Sequence, residues 1–177
     1  IFLICGIIPW TWFTTCISQG SGIFVYNSNL IKKVYFPREI LPISSVTAGL
    51  INFLISCIII VIFVLLGGVG LSWHLIFLPL LAVIQYIFTL ALVFLISSIN
   101  VYVRDVEYIV VFILNMLFYA TPVLYSYEMF EGTKLIWLFR LNPMAHLINA
   151  YRDIFYVHQI PQLMNLLVVF VCSIILL

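Results

Sequence analysis

Five apolar stretches, each approaching or exceeding the length that crosses a bilayer, most constrain what this chain can fold into. A transmembrane helix needs about 20 apolar residues, and it must satisfy its backbone polar groups within the segment. The stretches run over residues 1–17, 43–66, 75–99, 106–125 and 162–177. Only 7% of the residues are charged and 66% are hydrophobic, a composition that cannot cover the surface of a water-soluble domain. The sequence therefore predicts an all-α, polytopic membrane protein.

Both ends of the chain lie inside apolar stretches, and the first residue is Ile1 rather than Met. We therefore expect residues 1–177 to be a single transmembrane domain that is truncated at both ends. The net charge of +1 gives no reason to expect a nucleic-acid partner.

The connectors between the stretches differ in charge, and this difference predicts their sidedness. Residues 27–42 and 100–107 together hold four basic side chains, whereas residues 67–74 hold no Lys or Arg. Because short loops rich in Lys and Arg stay in the cytoplasm, we place the first two connectors there. The long connector of residues 126–161 then lies outside, although it carries three basic side chains of its own.

The centres of the apolar stretches hold no Asp, Glu, Lys, Arg or His. Ion-coupled transporters generally need such groups at depth, and membrane-embedded hydrolases need a constellation of them. No glycine-rich phosphate loop ending in Lys-Ser or Lys-Thr is present either. We therefore predict no catalytic residue, no metal ligand and no ATP site in this chain, so another polypeptide would supply the energy for any transport.

The fourth stretch carries one stripe of aromatic and polar side chains at spacings of three, four and seven residues. Its members are Tyr108, Phe112, Asn115, Tyr119 and Ser126. Helix–helix packing with an interhelical hydrogen bond from Asn115 would explain the stripe. The wall of a conduit, on which sugar rings slide along aromatic faces, would explain it equally well. On the second stretch, small or polar residues at helical spacing predict close approach of a neighbouring backbone; they are Ser45, Gly49, Asn52 and Ser56.

Residues 27–42 predict a short amphipathic helix that ends at Pro37. Leu30 and Ile31 would pack against the membrane protein, while Lys32 and Lys33 would face solvent, lipid head groups or a partner. The residues alone leave two interpretations open, an anchor on anionic lipid and a contact with a partner protein.

A second short helix is predicted after residue 141. Asn142 suits the N-cap and Pro143 the first helical position. Six side chains at helical spacing form its apolar stripe: Met144, Leu147, Ile148, Tyr151, Ile154 and Phe155. About 14 residues give roughly 21 Å, short of the bilayer thickness, so the helix lies in the interface or dips in and returns.

The polar residues of this second short helix have three possible roles. His146, Asn149 and Asp153 fall on the face opposite the apolar stripe. Together with Arg152 they would contact a cargo or brace the helix. In a plain interfacial helix, Arg152 would instead reach lipid head groups.

Four motifs occur in order along the chain: KKVYFPREILPISSV, NVYVRDVEYI, FYATPVLYS and LNPMAHLINAYRDIFY, preceded by GIIPWTWF. Over essentially its whole length, the chain resembles the membrane subunit of ABC-2 type exporters, in particular polysaccharide, O-antigen or teichoic acid permeases. The resemblance implies six membrane helices, of which about five are present here, and a homodimer. It also implies two separate ATP-binding subunits that hold ATP and magnesium, so that this chain itself needs no cofactor.

The resemblance also implies roles for particular residues. A cytoplasmic coupling helix would dock on the ATPase through Asn29, Leu30, Ile31, Lys32, Lys33, Tyr35 and Arg38. An external re-entrant region would contain Asn142, Pro143, His146, Asn149, Arg152 and Asp153. Conduit-lining candidates are Tyr108, Phe112, Asn115 and Tyr119.

The expected function is export of a lipid-linked polysaccharide or teichoic acid precursor across the plasma membrane of a bacterium. The protein itself would be surrounded by membrane lipid. Two alternatives remain open: an ABC-2 permease for a drug or lipid, and a membrane-embedded enzyme of envelope glycan synthesis. A passive channel is disfavoured because the stretches carry no charged rings.

Overall fold

The structure, a computed structural model, describes residues 2–33, 37–66, 73–125 and 142–177. In chain order its helices are α1 (Phe2–Ser21), α2 (Ile23–Tyr26), α3 (Ser28–Lys33), α4 (Ile40–Leu66), α5 (Leu78–Tyr102), α6 (Val106–Ala120), α7 (Pro143–Arg152) and α8 (Leu163–Leu176). A 3-10 turn, Trp73–Phe77, leads into α5, and a π-helical turn, Asp153–Val157, continues α7. The all-α prediction is therefore confirmed.

Three of the five predicted spans have the length and apolarity to cross a membrane: Phe2–Ser21, Ile40–Leu66 and Trp73–Tyr102. The other two are shorter apolar helices, α6 with 15 residues and α8 with 14. The prediction that α6 extends to residue 125 is wrong, because the helix ends at Ala120. Thr121, which precedes Pro122, takes the extended conformation with φ −108° and ψ 136°, since proline disfavours the helical region in the residue before it.

Helix α1 lies at the centre of the bundle and packs against α4, α5, α6 and α7. Trp12 stacks on Phe53 of α4 at 4.5 Å between ring centroids, and Phe13 stacks on Phe88 of α5 at 5.7 Å. A Cβ added to Gly49 would lie 3.0 Å from the Trp12 indole nitrogen. The predicted close approach of a neighbouring helix is thus confirmed at Gly49, since a side chain there would force α1 and α4 apart.

The connectors lie at the two ends of the bundle. Tyr26, just before α3, donates a hydrogen bond to Glu107 at the start of α6, so the two short basic connectors lie at one end, called here the α3 end. Arg152 of α7 lies over the Phe2 ring at the start of α1, which defines the opposite, α7 end. This relative placement agrees with the sidedness predicted from charge.

Candidate functional site: a polar face along the central helix

Helix α1 exposes a row of polar side chains in the middle of an otherwise apolar bundle. Thr11, Thr15 and Gln19, each one helical turn from the next, are all exposed. The Thr11 hydroxyl donates to the backbone carbonyl of Ile7 at 2.9 Å, so its oxygen keeps acceptor capacity towards the outside. Although α1 packs against α4, α5, α6 and α7, one of its faces is therefore left open and hydrophilic.

Two grooves flank this row, one on each side of α1. The groove towards α4 has a volume of about 320 Å³, and α4 lines it with Ser45, Asn52 and Ser56. The groove towards α6 has a volume of about 620 Å³, and Asn115 and Tyr119 line its far wall. Thr11, Thr15 and Gln19 line both grooves, so together they form one continuous surface, which we call the polar face.

The amides of the polar face show that it does not face lipid. A threonine hydroxyl can satisfy itself on the carbonyl one turn back, so it tolerates a lipid environment. The amides of Gln19, Asn52 and Asn115 have too many polar atoms for that, and all three are exposed. Asn52 follows 12 residues after the start of α4, about 18 Å along the helix and near mid-depth. Because an unpaired amide in hydrocarbon costs several kcal/mol, about 4–8 on an alkane scale, this face is covered by further polypeptide, by water or by a cargo.

The described side chains that line the two grooves are hydroxyls, amides, aromatics and small apolar groups, with no charged residue among them. Such a surface offers hydrogen bonds of neutral strength and ring faces for stacking. It can therefore hold a polar, uncharged chain weakly at many points.

The predicted conduit stripe on α6 coincides only partly with the polar face. Asn115 and Tyr119 line the larger groove. Phe112 and Tyr108 are exposed, Tyr108 by 76%, but lie outside the lining, and Ser126 lies outside the described residues. Asn115 and Tyr119 are exposed, and both interpretations of the stripe, helix–helix packing and a conduit wall, stay predictions.

Sequence reasoning missed the contribution of α1. Its signal is the repeated polar residue every fourth position in TWFTTCISQ, from Thr11 through Thr15 to Gln19, the helical repeat that places residues on one face. The average apolarity of the stretch concealed this repeat, because threonine is close to neutral in hydropathy.

The short helix predicted before Pro37 is present as α3, at the α3 end of the bundle; its role as a coupling helix stays a prediction. Asn29, Lys32 and Lys33 are exposed. Arg38 is exposed too, in the turn before α4, and Tyr35 lies outside the described residues. Leu30 is 46% exposed and Ile31 half-buried, so the prediction that both pack against the bundle is wrong for Leu30. The six-residue α3 packs mainly on α2 and is too short to lay a full apolar stripe on the bundle.

Helix α7 begins as its sequence predicts. Asn142 accepts a hydrogen bond from the Met144 backbone N–H at 3.0 Å, and Pro143 occupies the first turn. The Asn142 side chain also donates to the Thr121 hydroxyl at 2.8 Å. The N-cap prediction is thus confirmed, and the cap also ties α7 to the turn that follows α6.

The predicted apolar stripe of this region is confirmed too, because all six of its side chains are buried. Its polar residues His146, Asn149 and Asp153 are half-buried. Burial raises the pKa of the Asp153 carboxyl above its ordinary value, since a charged carboxylate loses hydration there.

Arg152 is the most buried charged side chain of the region, with 4% exposure. One of its guanidinium nitrogens, Nη1, donates to the carbonyl of Pro122 at 2.6 Å and to that of Tyr125 at 3.2 Å, while Nη2 donates to the carbonyl of Val123 at 2.6 Å. The guanidinium carbon lies 3.8 Å from the centroid of the Phe2 ring. An Arg152 that reaches lipid head groups does not fit this geometry, because its donors are directed at the turn after α6.

The part of the chain that the structure describes holds no group of three or more His, Cys, Asp or Glu side chains that could bind a metal ion. Its chemistry thus rests on the polar face, the exposed α3 and the region around Arg152.

Comparison with known proteins identifies the family to which the chain belongs. The model of the ABC-2 type transporter family matches residues 1–156. The chain is 36% identical over 178 residues to the O-antigen export system permease protein RfbA of Myxococcus xanthus, an alignment covering 99% of this chain and 68% of that relative. It is also 36% identical over 157 residues to the protein of the same name from Klebsiella pneumoniae, covering 88% of this chain and 60% of the relative. The chain belongs to the ABC-2 type transporter family.

Proposed function

We propose that this protein is the membrane-spanning permease subunit of an ATP-driven exporter that moves a lipid-linked polysaccharide across the plasma membrane of a bacterium. The names of its relatives support export of a glycan. The observation that carries the proposal is the outward-facing polar face with its three exposed amides. Sugars present hydroxyls in every direction and apolar ring faces between them, so hydroxyl, amide and tyrosine side chains match their chemistry.

The passage mechanism follows from the weakness of each contact. A sugar hydroxyl exchanges its hydrogen bonds with water for bonds with Thr11, Thr15 or Asn115, at a small net free energy, roughly 1 kcal/mol for each bond. The ring of Tyr119 adds a stacking surface. Because no single site holds the chain strongly, the glycan can slide from one turn of α1 to the next.

A second copy of the chain would complete the pathway. The grooves on both sides of α1 are open, and lipid against the mid-depth amides would leave them unsatisfied. Two copies that bring their polar faces together would enclose a hydrophilic passage between them. In this arrangement the lipid carrier stays in the bilayer while its glycan enters the passage.

The energy would come from a separate ATP-binding cassette subunit, which would hold the ATP and magnesium, so we propose no cofactor for this chain. The exposed α3, with Lys32 and Lys33, is the surface we propose for its docking. Lys32→Glu combined with Lys33→Glu should then weaken association with the ATPase while membrane insertion stays intact. A gentle-detergent pull-down of the full-length protein would measure both, and unchanged association would count against α3.

The pathway itself is tested by ATP-driven export of a lipid-linked glycan in inverted membrane vesicles. Asn52→Leu and Asn115→Leu should each reduce export while leaving assembly with the ATPase unchanged. Asn165→Leu is the matched control, because Asn165 lies on α8, away from both grooves.

Three results would change the proposal. Export that survives both groove substitutions would remove the polar face from the pathway. Transport of a drug or a free lipid, but not of the glycan, would change the cargo. Glycan synthesis without ATP or a co-purifying ATPase would replace export by an enzyme.

A further inference from the structure

Glu107, in the first turn of α6, is held at the α3 end of the bundle by two contacts. Its carboxylate accepts a hydrogen bond from the Tyr26 hydroxyl, 81 residues earlier in the chain. Its backbone N–H donates to the side-chain oxygen of Asn100 at 3.2 Å, and Asn100 is only 1% exposed. The Tyr26 contact therefore acts on a residue whose backbone is fixed to the end of α5.

The segment that carries Tyr26 is continuous with α3. The Asn27 backbone carbonyl accepts hydrogen bonds from the backbone N–H groups of Leu30 and Ile31, both at 3.0 Å. The Asn27 side chain in turn donates to the Ile23 carbonyl at 2.8 Å. Because these bonds bridge the junction between α2 and α3, a displacement of α3 moves Tyr26 with it.

Gly22 leaves the space in which the pair meets. A Cβ at this position would lie 2.9 Å from Glu107 Oε2 and would overlap the Tyr26 ring. The contact thus requires a residue without a side chain at the end of α1, and α1, α2 and α6 come together at this point.

We infer that the Tyr26–Glu107 hydrogen bond is the joint through which movement of α3 reaches α6, a wall of the polar face. The inference rests on the proposed function, because it takes α3 as the docking surface and α6 as part of the pathway. Both residues act by positioning, and neither lines a groove. The hydrogen bond to the Glu107 carboxylate also raises the pKa of the Tyr26 hydroxyl above its ordinary value.

The test uses Tyr26→Phe, Glu107→Gln and the double variant in the full-length protein. Tyr26→Phe removes only the donor. We expect the number of glycans exported for each ATP hydrolysed to fall about fivefold in Tyr26→Phe, as for loss of an ordinary hydrogen bond, because this one is exposed to water. Glu107→Gln keeps an acceptor and removes only its charge, so it should have a smaller effect. The double variant should be no worse than Tyr26→Phe, because that substitution already removes the contact that Glu107→Gln weakens. The matched control is Tyr102→Phe, at an exposed tyrosine of the same end.

A second measurement needs neither ATPase nor cargo. Hydrogen exchange on the permease alone should be faster over α3 and the first turn of α6 in Tyr26→Phe than in the wild type, and unchanged over α4. Equal exchange in the two proteins would overturn the joint, whatever the export assay shows. Faster exchange with wild-type export per ATP would overturn its role in transmission. A wild-type protein without ATP-driven export would instead overturn the proposed function, and with it the transmission.

Discussion

Removal of the Arg152 guanidinium should cost this protein more stability than any other change of a single charged residue that the structure describes. Arg152→Met keeps most of the apolar stem and deletes the hydrogen bonds to the carbonyls of Pro122, Val123 and Tyr125. These carbonyls follow the end of α6, where no further helical turn supplies N–H partners. The substitution therefore leaves buried acceptors unsatisfied as well as removing donors.

The magnitude follows from the geometry of the three bonds. A hydrogen bond to a charged group contributes about 1.5–3 kcal/mol, and two of these bonds are short, at 2.6 Å, while the third is 3.2 Å. Burial of the guanidinium itself costs free energy, which a methionine does not carry, so its removal offsets part of the lost hydrogen-bond free energy. We expect a net loss of about 3–5 kcal/mol, because each carbonyl left without a donor costs about 1–3 kcal/mol and the relieved burial of the guanidinium offsets part of that sum. At about 2–4 °C for each kcal/mol, the midpoint of thermal unfolding should fall by about 6–20 °C.

The assay is thermal unfolding of the full-length protein in a mild detergent, followed by tryptophan fluorescence or by loss of the monodisperse peak. Arg152→Lys should fall between the wild type and Arg152→Met, because one ammonium cannot reproduce the planar fork that reaches separate carbonyls. Arg104→Met, at an exposed arginine of the opposite end, is the matched control and should change the midpoint little. A midpoint for Arg152→Met within about 2 °C of the wild type would refute the reasoning.

Three further substitutions test the packing around α1 and α6 in the same unfolding assay. Gln85→Leu removes the hydrogen bond from the Gln85 side chain to the Pro9 carbonyl at 2.8 Å. Interhelical hydrogen bonds of this kind contribute about 0.6–1.7 kcal/mol. The midpoint of unfolding should therefore fall less than half as far as in Arg152→Met. Gly49→Leu should destabilise the protein by about 1–3 kcal/mol, because the new side chain meets the Trp12 indole. Gly49→Ala should destabilise it less. Equal unfolding midpoints for the two variants would contradict the close approach of α1 and α4. Thr121→Val deletes the acceptor of the Asn142 amide at 2.8 Å and should lower stability by about 1 kcal/mol. Combined with Arg152→Met, the loss should be smaller than the sum of the two single losses, because both substitutions act on one turn.

The sequence predicted best those features that depend on residues close together in the chain. The start of α7 followed from Asn142 and Pro143, whose capping and ring geometry act within one turn. The burial of its apolar stripe followed from helical spacing alone. The lengths of α4 and α5 followed from continuous apolar runs, which have no other way to satisfy their backbone in lipid.

The errors arose where a local signal competed with average composition. Thr121–Pro122 gave a signal that α6 ends early, but the apolar residues up to 125 outweighed it. The polar repeat on α1 was hidden in the same way by its apolar neighbours. Leu30 was assigned to the bundle from amphipathic spacing, yet α3 is too short for its tertiary contacts to follow that spacing.

The partners of Arg152 could not be predicted at all. Its acceptors lie 27 to 30 residues earlier in the chain, and backbone carbonyls carry no sequence signature. An arginine next to an aspartate predicts a local ion pair, whereas the folded chain uses the guanidinium to close a distant turn.

The two ends of α6 are held by contacts of different strength, and this difference limits how the helix can move. At the α7 end Arg152 is buried and joined to three carbonyls, whereas at the α3 end the Tyr26–Glu107 contact is exposed. Water can replace an exposed hydrogen bond cheaply, but it cannot replace the buried set. For the movement of α6 that we propose, we therefore expect the α7 end to be the pivot. With 15 residues, α6 is about 22 Å long, so a tilt of about 10° moves its other end by about 4 Å. A hydrogen bond cannot stretch that far: either Tyr26 travels with Glu107, carrying α3 along, or the contact breaks during each cycle. Faster ATP hydrolysis with less export for each ATP in Tyr26→Phe would favour the first, because α3 would then move without driving α6.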